Sequence, residues 1–260
     1  MSDSRQKIEE TLRSRPWFQA TSEELQKKLL GLPENCNGFL EHTAHRPEEG
    51  GGVRVKSLHS LLLPELPGGV VFGLFPAFNV EKPDGTTFTY QYFSWKQGPA
   101  SGVKGVVLIK GADGSISHVV CLNGFSFAVG ANTFDCVGGF AEINEEGIGK
   151  LVENAKREIT EELGLQRFEL QKVIRLGPMH VDRGMTPNCP QLFAAIIDGS
   201  DAKGIKEDAY VNPDPHEMEA GAKIVPVKAL WGEHGFLMRN TDSFFGTCIA
   251  RLVALGVLKP

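Results

Sequence analysis

The sequence has no C-x-x-C pair and no histidine cluster beside its five cysteines, Cys36, Cys121, Cys136, Cys189 and Cys248. That removes both a zinc pattern and the disulfide framework of a small secreted domain, and reduced thiols in a cytoplasm are expected. Nor does any stretch approach the ~18 consecutive apolar residues of a membrane span. The first ten residues hold no apolar core and are too acidic for a transit peptide, so a cytoplasmic protein with no membrane association is expected. Internal repeats and low-complexity tracts are missing too, which leaves no support for a solenoid or a propeller. An excess of positive charge is also lacking: the net charge is −5 and the isoelectric point about 5.8. Bulk electrostatic binding of nucleic acid is therefore not expected, and a polyanionic substrate must be met by a local device.

What is present suits a folded chain. Of 260 residues, 41% are hydrophobic and 23% charged, away from the composition that stays disordered. The length suggests one main domain with an extension, and the pattern places the division near residue 100, with an extension over 1–100 and the main domain over 101–260. Short helices are expected at 5–14 and 22–30, the second capped by Thr21 or Ser22. Residues 44–52, ending in three glycines, read as an exposed loop. Strands are expected at 53–63, 70–80 and 88–95, with Pro83-Asp84-Gly85 joining the last two, and at 103–110 and 116–122 about a turn at 112–115. A short strand at 134–137, a long helix at 147–163, strands near 170–176, 191–197 and 223–226, and a helix at 242–255 complete the pattern. The alternating aromatics Phe72, Phe75, Tyr90, Tyr92, Phe93 and Trp95 read as one face of a sheet core.

The long helix breaks a rule. Ile148, Leu151, Val152, Ala155, Ile159 and Leu163 form one apolar face. At about 100° per residue, Glu162 falls in the middle of that face, Glu158 at its edge and Glu161 one step further round. An unpartnered buried carboxylate is costly, and three acids at i, i+3 and i+4 repel one another, so a compensating cation is expected. Hard oxygen ligands of this kind suit Mg²⁺ or Mn²⁺. Glu153, four residues before Arg157, reads instead as an ordinary surface pairing.

With these residues in view, Gly138-Gly139-Phe140-Ala141-Glu142 followed by Arg157-Glu158-Ile159-Thr160-Glu161-Glu162-Leu163-Gly164-Leu165 resembles the Nudix box, whose second half reads R-E-U-x-E-E-x-G-U with U apolar. The resemblance implies an α+β fold, a Nudix-type β/α/β sandwich with a mixed sheet, here with an N-terminal helical and antiparallel-β extension. It implies hydrolysis of a nucleoside diphosphate linked to another moiety, of the ADP-ribose, nucleotide-sugar or dinucleotide type, with Mg²⁺ or Mn²⁺ as cofactor. Position by position, Glu158, Glu161 and Glu162 match the metal-binding acids and Arg157 the arginine that orients a catalytic glutamate. Gly139 matches the opening glycine, and Gly138, Gly139, Phe140 and Glu142 become candidate substrate contacts. Gly164 closes the helix, where a left-handed cap favours glycine.

The sequence also departs from the box. The first-half glutamate falls on Gly149, and the Gly-Gly turn stands four residues further upstream than the usual spacing, so Glu142, Glu145 or Glu146 are left to reach into the site from a longer loop. Glu217 and Glu219, in an acidic loop before a late strand, join Glu158, Glu161 and Arg157 as catalytic candidates. The competing class is a binding module, a Nudix scaffold weakened in turnover that holds nucleotide or RNA ends. The N-terminal region is read as the place for a homodimer contact or a lid over the substrate.

Overall fold

Residues 53–62 are buried only at intervals, whereas residues 103–110 and 191–198 are buried almost throughout, and the two patterns lie in different sheets. The computed structural model describes residues 3–66, 70–100, 102–126, 128–140, 148–207, 210–211 and 220–260. The chain divides into two compact units, residues 1–101 with 180–189, and residues 102–179 with 190–260.

The first unit begins with helices α1 (Asp3–Ser14), α2 (Pro16–Gln19), α3 (Glu23–Leu30) and α4 (Asn37–His45). Proline opens α2, where its missing N–H is not needed. The Ser22 hydroxyl accepts from Leu25 N–H at 3.4 Å and caps α3. The strands are β1 (Glu49–Gly50), β2 (Val53–Leu62), β3 (Glu65–Leu66), β4 (Val70–Val71), β5 (Gly73–Glu81), β6 (Thr87–Gln91) and β7 (Ser94–Trp95). The main sheet is antiparallel, in the order β1-β2-β5-β6 with β7 also on β5, and β3 pairs β4 separately. Leu58, Leu61 and Phe78 pack with Trp17, Phe18, Phe39 and Leu40 in one core, and Trp17 meets Phe78 edge-on at 5.4 Å. The stretch 44–52 is not simply an exposed loop. It starts inside α4, where Ala44 is fully buried, and turns at Gly51 and Gly52, whose φ of 60° and 75° form the two-residue hairpin between β1 and β2.

The second unit holds β8 (Val103–Lys110), β9 (Ile116–Ser126), β10 (Ala131–Asp135), α5 (Ile148–Leu163), β11 (Lys172–Pro178), β12 (Gln191–Asp198), α6 (Gly199–Ala202), β13 (Tyr210–Val211), β14 (Ala220–Pro226), α7 (Phe236–Arg239) and α8 (Ser243–Ala254). Its sheet runs β11-β12-β8-β9-β14-β13, with β10 on β9, and it is mixed because β12 pairs β8 in parallel. Val103, Val107 and Ile109 of β8 join Phe193, Ala195 and Ile197 of β12 under α5. The alternate residues Val106, Leu108, Leu192 and Ala194 pack with Phe245, Ile249 and Leu252 of α8. Both faces of these strands are therefore covered, as their nearly unbroken apolar runs require. The chain is mixed α+β with one mixed and one antiparallel sheet, compatible with the sandwich expected, and in the second unit the layers run helix, mixed sheet, helix.

Candidate active site

The site grows from the junction of β8, β10 and α5 in the second unit. After β10 the chain bridges back to β8: Gly105 N–H donates to Val137 O at 2.8 Å and Val103 N–H to Gly139 O at 2.9 Å. Gly138 sits between those bonds at φ 145°, and a Cβ there would lie 2.0 Å from Val103 O. Only glycine fits so close to the β8 backbone. Its N–H then donates to Glu162 Oε2 at 2.7 Å. Gly139 lies against the other acid, since a Cβ on it would stand 3.0 Å from both Glu158 oxygens.

The acids of α5 are not equivalent. Glu158, placed at the edge of the apolar arc by helical angle alone, is the deepest, 4% exposed. Its Oε1 lies 2.6 Å from Arg157 Nη2, and Arg157 Nη1 reaches Glu161 Oε2 at 3.0 Å. Arg157 Nη2 also donates to Phe140 O at 3.1 Å, so one guanidinium ties two acids and the end of the Gly-Gly turn together. Glu161 is the open one of the pair, its side chain 41% exposed. Glu153 pairs with Lys150 at 3.2 Å, a surface ion pair as expected, although with a different partner from Arg157.

Burial pushes the Glu162 carboxyl up to about 8. Lys104 and the Gly138 N–H pull it down, and the charges of Glu158 and Asp135 push it further up. Lys104, on β8, joins the site from outside the motif. Its Nζ lies 2.9 Å from Asp135 Oδ2. Burial lowers its ammonium, but Asp135 and Glu162 outweigh that and leave it above its ordinary value. Asp242, the N-cap of α8, extends the same group of charges: burial and then Asp135 push its carboxyl up to about 6, against the Phe245 N–H it accepts and Lys104. A single lysine inside the otherwise apolar run Val-Lys-Gly-Val-Val-Leu-Ile was the signal in the sequence for this network.

Glu158, Glu162, Arg157, Gly138, Gly139 and Phe140 thus come together, with Glu161 at the rim. Glu142, Glu145, Glu146, Glu217 and Glu219 lie outside the described residues. Among the described residues, no three His, Cys, Asp or Glu side chains gather closely enough to hold an ion. The donor set nevertheless fits a hard divalent cation, because two carboxylates are enclosed on one helix face and the charge of Glu158 raises the cost of ionising Glu162. Of the aromatics read as sheet core, Tyr92 is buried while Phe72 and Tyr90 are exposed. Among the described residues, no helix is long and apolar enough to cross a membrane.

No protein-family model matches the chain, and no curated protein does. Among solved structures it is similar to one titled "Crystal structure of ADP compounds hydrolase", at 12% sequence identity over 77% of this chain and 96% of that one, with a TM-score of 0.49. So distant a likeness carries neither family nor chemistry.

Proposed function

We propose that the chain is a divalent-metal-dependent, Nudix-type hydrolase that cleaves the pyrophosphate bridge of a nucleoside diphosphate joined to another group, of the ADP-ribose, nucleotide-sugar or dinucleotide kind. The observation that carries this reading is the enclosure of Glu158 and Glu162 on one face of α5 beside the Gly138–Gly139 turn. Hydrophobic burial alone gives no reason for acids there.

Glu158 and Glu162, with Glu161, would hold Mg²⁺ or Mn²⁺, which when bound supplies positive charge to the phosphate oxygens. Arg157 fixes the carboxylates of Glu158 and Glu161 in one orientation, and the Gly138 N–H does the same for Glu162. This preorganisation means that little rearrangement is required as the reaction proceeds. Glu161 is open to solvent on one side and is the described carboxylate best suited to take a proton from water attacking phosphorus. Glu217 and Glu219 are the other candidates for that proton, and Phe140 and Glu142 for contact with substrate. A second reading, a binding module for nucleotide or RNA ends, is favoured by Gly149 standing where the box has its first glutamate.

A panel of nucleotide sugars, dinucleotides and ADP-ribose, incubated with Mg²⁺ or Mn²⁺ in ¹⁸O-water and read by product mass, tests the proposal. Two phosphate monoesters, one carrying the heavy oxygen, are expected from at least one substrate. Nucleotide bound by the protein but never cleaved would move the assignment to the binding module.

A further inference from the structure

Strand β6 closes one side of the first unit's sheet, and all five of its residues, Thr87-Phe88-Thr89-Tyr90-Gln91, are exposed. Two bonds fix which way its backbone points. Lys82 N–H donates to Thr86 O at 2.8 Å and Tyr92 N–H to Pro76 O at 3.2 Å, so the even-numbered residues bond to β5. Thr87, Thr89 and Gln91 turn their N–H and C=O groups outward, where they have no backbone partner among the described residues. The free edge is bounded at both ends. The chain turns through Pro83-Asp84-Gly85 before it, and beyond it the outward N–H of Phe93 is taken by Met185 O at 2.9 Å.

This edge lacks the usual protections, having no charge, no proline and no bulge between 87 and 91. We propose that it is a homodimer interface, in which β6 of a second copy pairs antiparallel about a two-fold axis through Thr89. The outward residues fall evenly about that axis, so Thr87 faces the partner's Gln91 and Thr89 faces the partner's Thr89. About six backbone hydrogen bonds close in that register. Phe88, 39% exposed, then stands opposite the partner's Tyr90, 36% exposed, twice across the axis, an aromatic cross-strand pair. For a chain of net charge −5, a neutral edge is also where two copies meet with least repulsion. A register shifted by two residues would leave outward groups unpaired and drive the copy into the 83–85 turn or the segment at Met185.

Sedimentation of the full chain between ~1 and 200 μM tests the interface, the sheet pairing being a standard isologous contact. A concentration-dependent dimer is expected for the wild type, and Thr89→Pro should be monomeric, since it removes an outward N–H and, within the sheet, only the exposed 3.3 Å bond from Thr89 Oγ1 to Asn79 Oδ1. A second variant keeps the test decisive should Thr89→Pro fail to fold. In Thr89→Cys the two facing Cα atoms lie ~5.5 Å apart, within disulfide reach, and mild oxidation with diamide should cross-link it while leaving the wild type uncross-linked. A wild type that stays monomeric at 200 μM, a Thr89→Cys chain that does not cross-link, or a folded Thr89→Pro chain that remains dimeric would each overturn the proposal.

Discussion

Glu162 is held by opposing forces: burial resists its charge, while Lys104 and the Gly138 N–H favour it. Its carboxyl is raised from 4.5 to about 8 in the fold, so without metal the folded chain binds more protons than the unfolded one between those values. Stability must then fall as pH rises through that window, and the full loss is present above it. Glu162→Gln mimics the protonated side chain and should remove the loss. Its melting temperature should match the wild type near pH 4.5 and exceed it by roughly 5–10 °C at pH 9, as scanning calorimetry in chelator would show. A difference that does not grow with pH would contradict the burial argument. The run from Arg157 to Leu165 made these acids legible in the sequence, but not their ranking. Helical angle placed Glu162 deepest, whereas Glu158 is, because the Gly-Gly turn packed over Glu158 comes from residues far away in the chain. The Lys104–Asp135 pair was hidden for the same reason, as the two residues belong to different strands.

Among the elements, the turn after β10 and the cap of α8 make separable demands. Gly138→Ala forces a side chain into the β8 backbone at a left-handed φ and should destabilise the fold by roughly 2–4 kcal/mol in denaturant titration. Gly139→Ala meets only the end of a flexible carboxylate. It should change stability by under about 1 kcal/mol yet lower turnover at least tenfold, by displacing Glu158. Equal effects of the two substitutions on stability would contradict the geometry. At α8, Asp242 accepts from Phe245 N–H at 2.5 Å, and its carboxyl is raised from 3.8 to about 6. Its charge therefore lowers stability as pH rises through that range. Asp242→Asn should keep the cap and flatten that fall in thermal melts, while Asp242→Ala should lose about 1 kcal/mol of capping. Helix α4 carries no sequence signal of its own. Its sequence, Asn-Gly-Phe-Leu-Glu-His-Thr-Ala-His, has weak helix propensity. Packing selects it: Phe39, Leu40, Thr43 and Ala44 are buried, and Gly38 presses on the Gln97 backbone.

For the whole molecule, nothing in composition or strand pattern groups residues 180–189 with residues 1–101 in one unit. Four bonds internal to that unit hold the segment: Phe93 N–H to Met185 O, Tyr90 O–H to Gly184 O at 2.6 Å, Trp95 N–H to Asn188 Oδ1 at 3.1 Å, and Cys189 N–H to Pro99 O. No local pattern announces such distant pairings. A chain beginning at Gly102 would lose all four partners, and limited proteolysis should then cut between residues 182 and 187, where the full chain resists. Cation binding by the acids of α5 is read out by titrating Mn²⁺ into the full chain and following free Mn²⁺ by paramagnetic resonance. Saturable binding by the wild type, weakened at least tenfold in both Glu158→Gln and Glu162→Gln, is the expected result. No binding by the wild type, or equal binding by all three proteins, would contradict it.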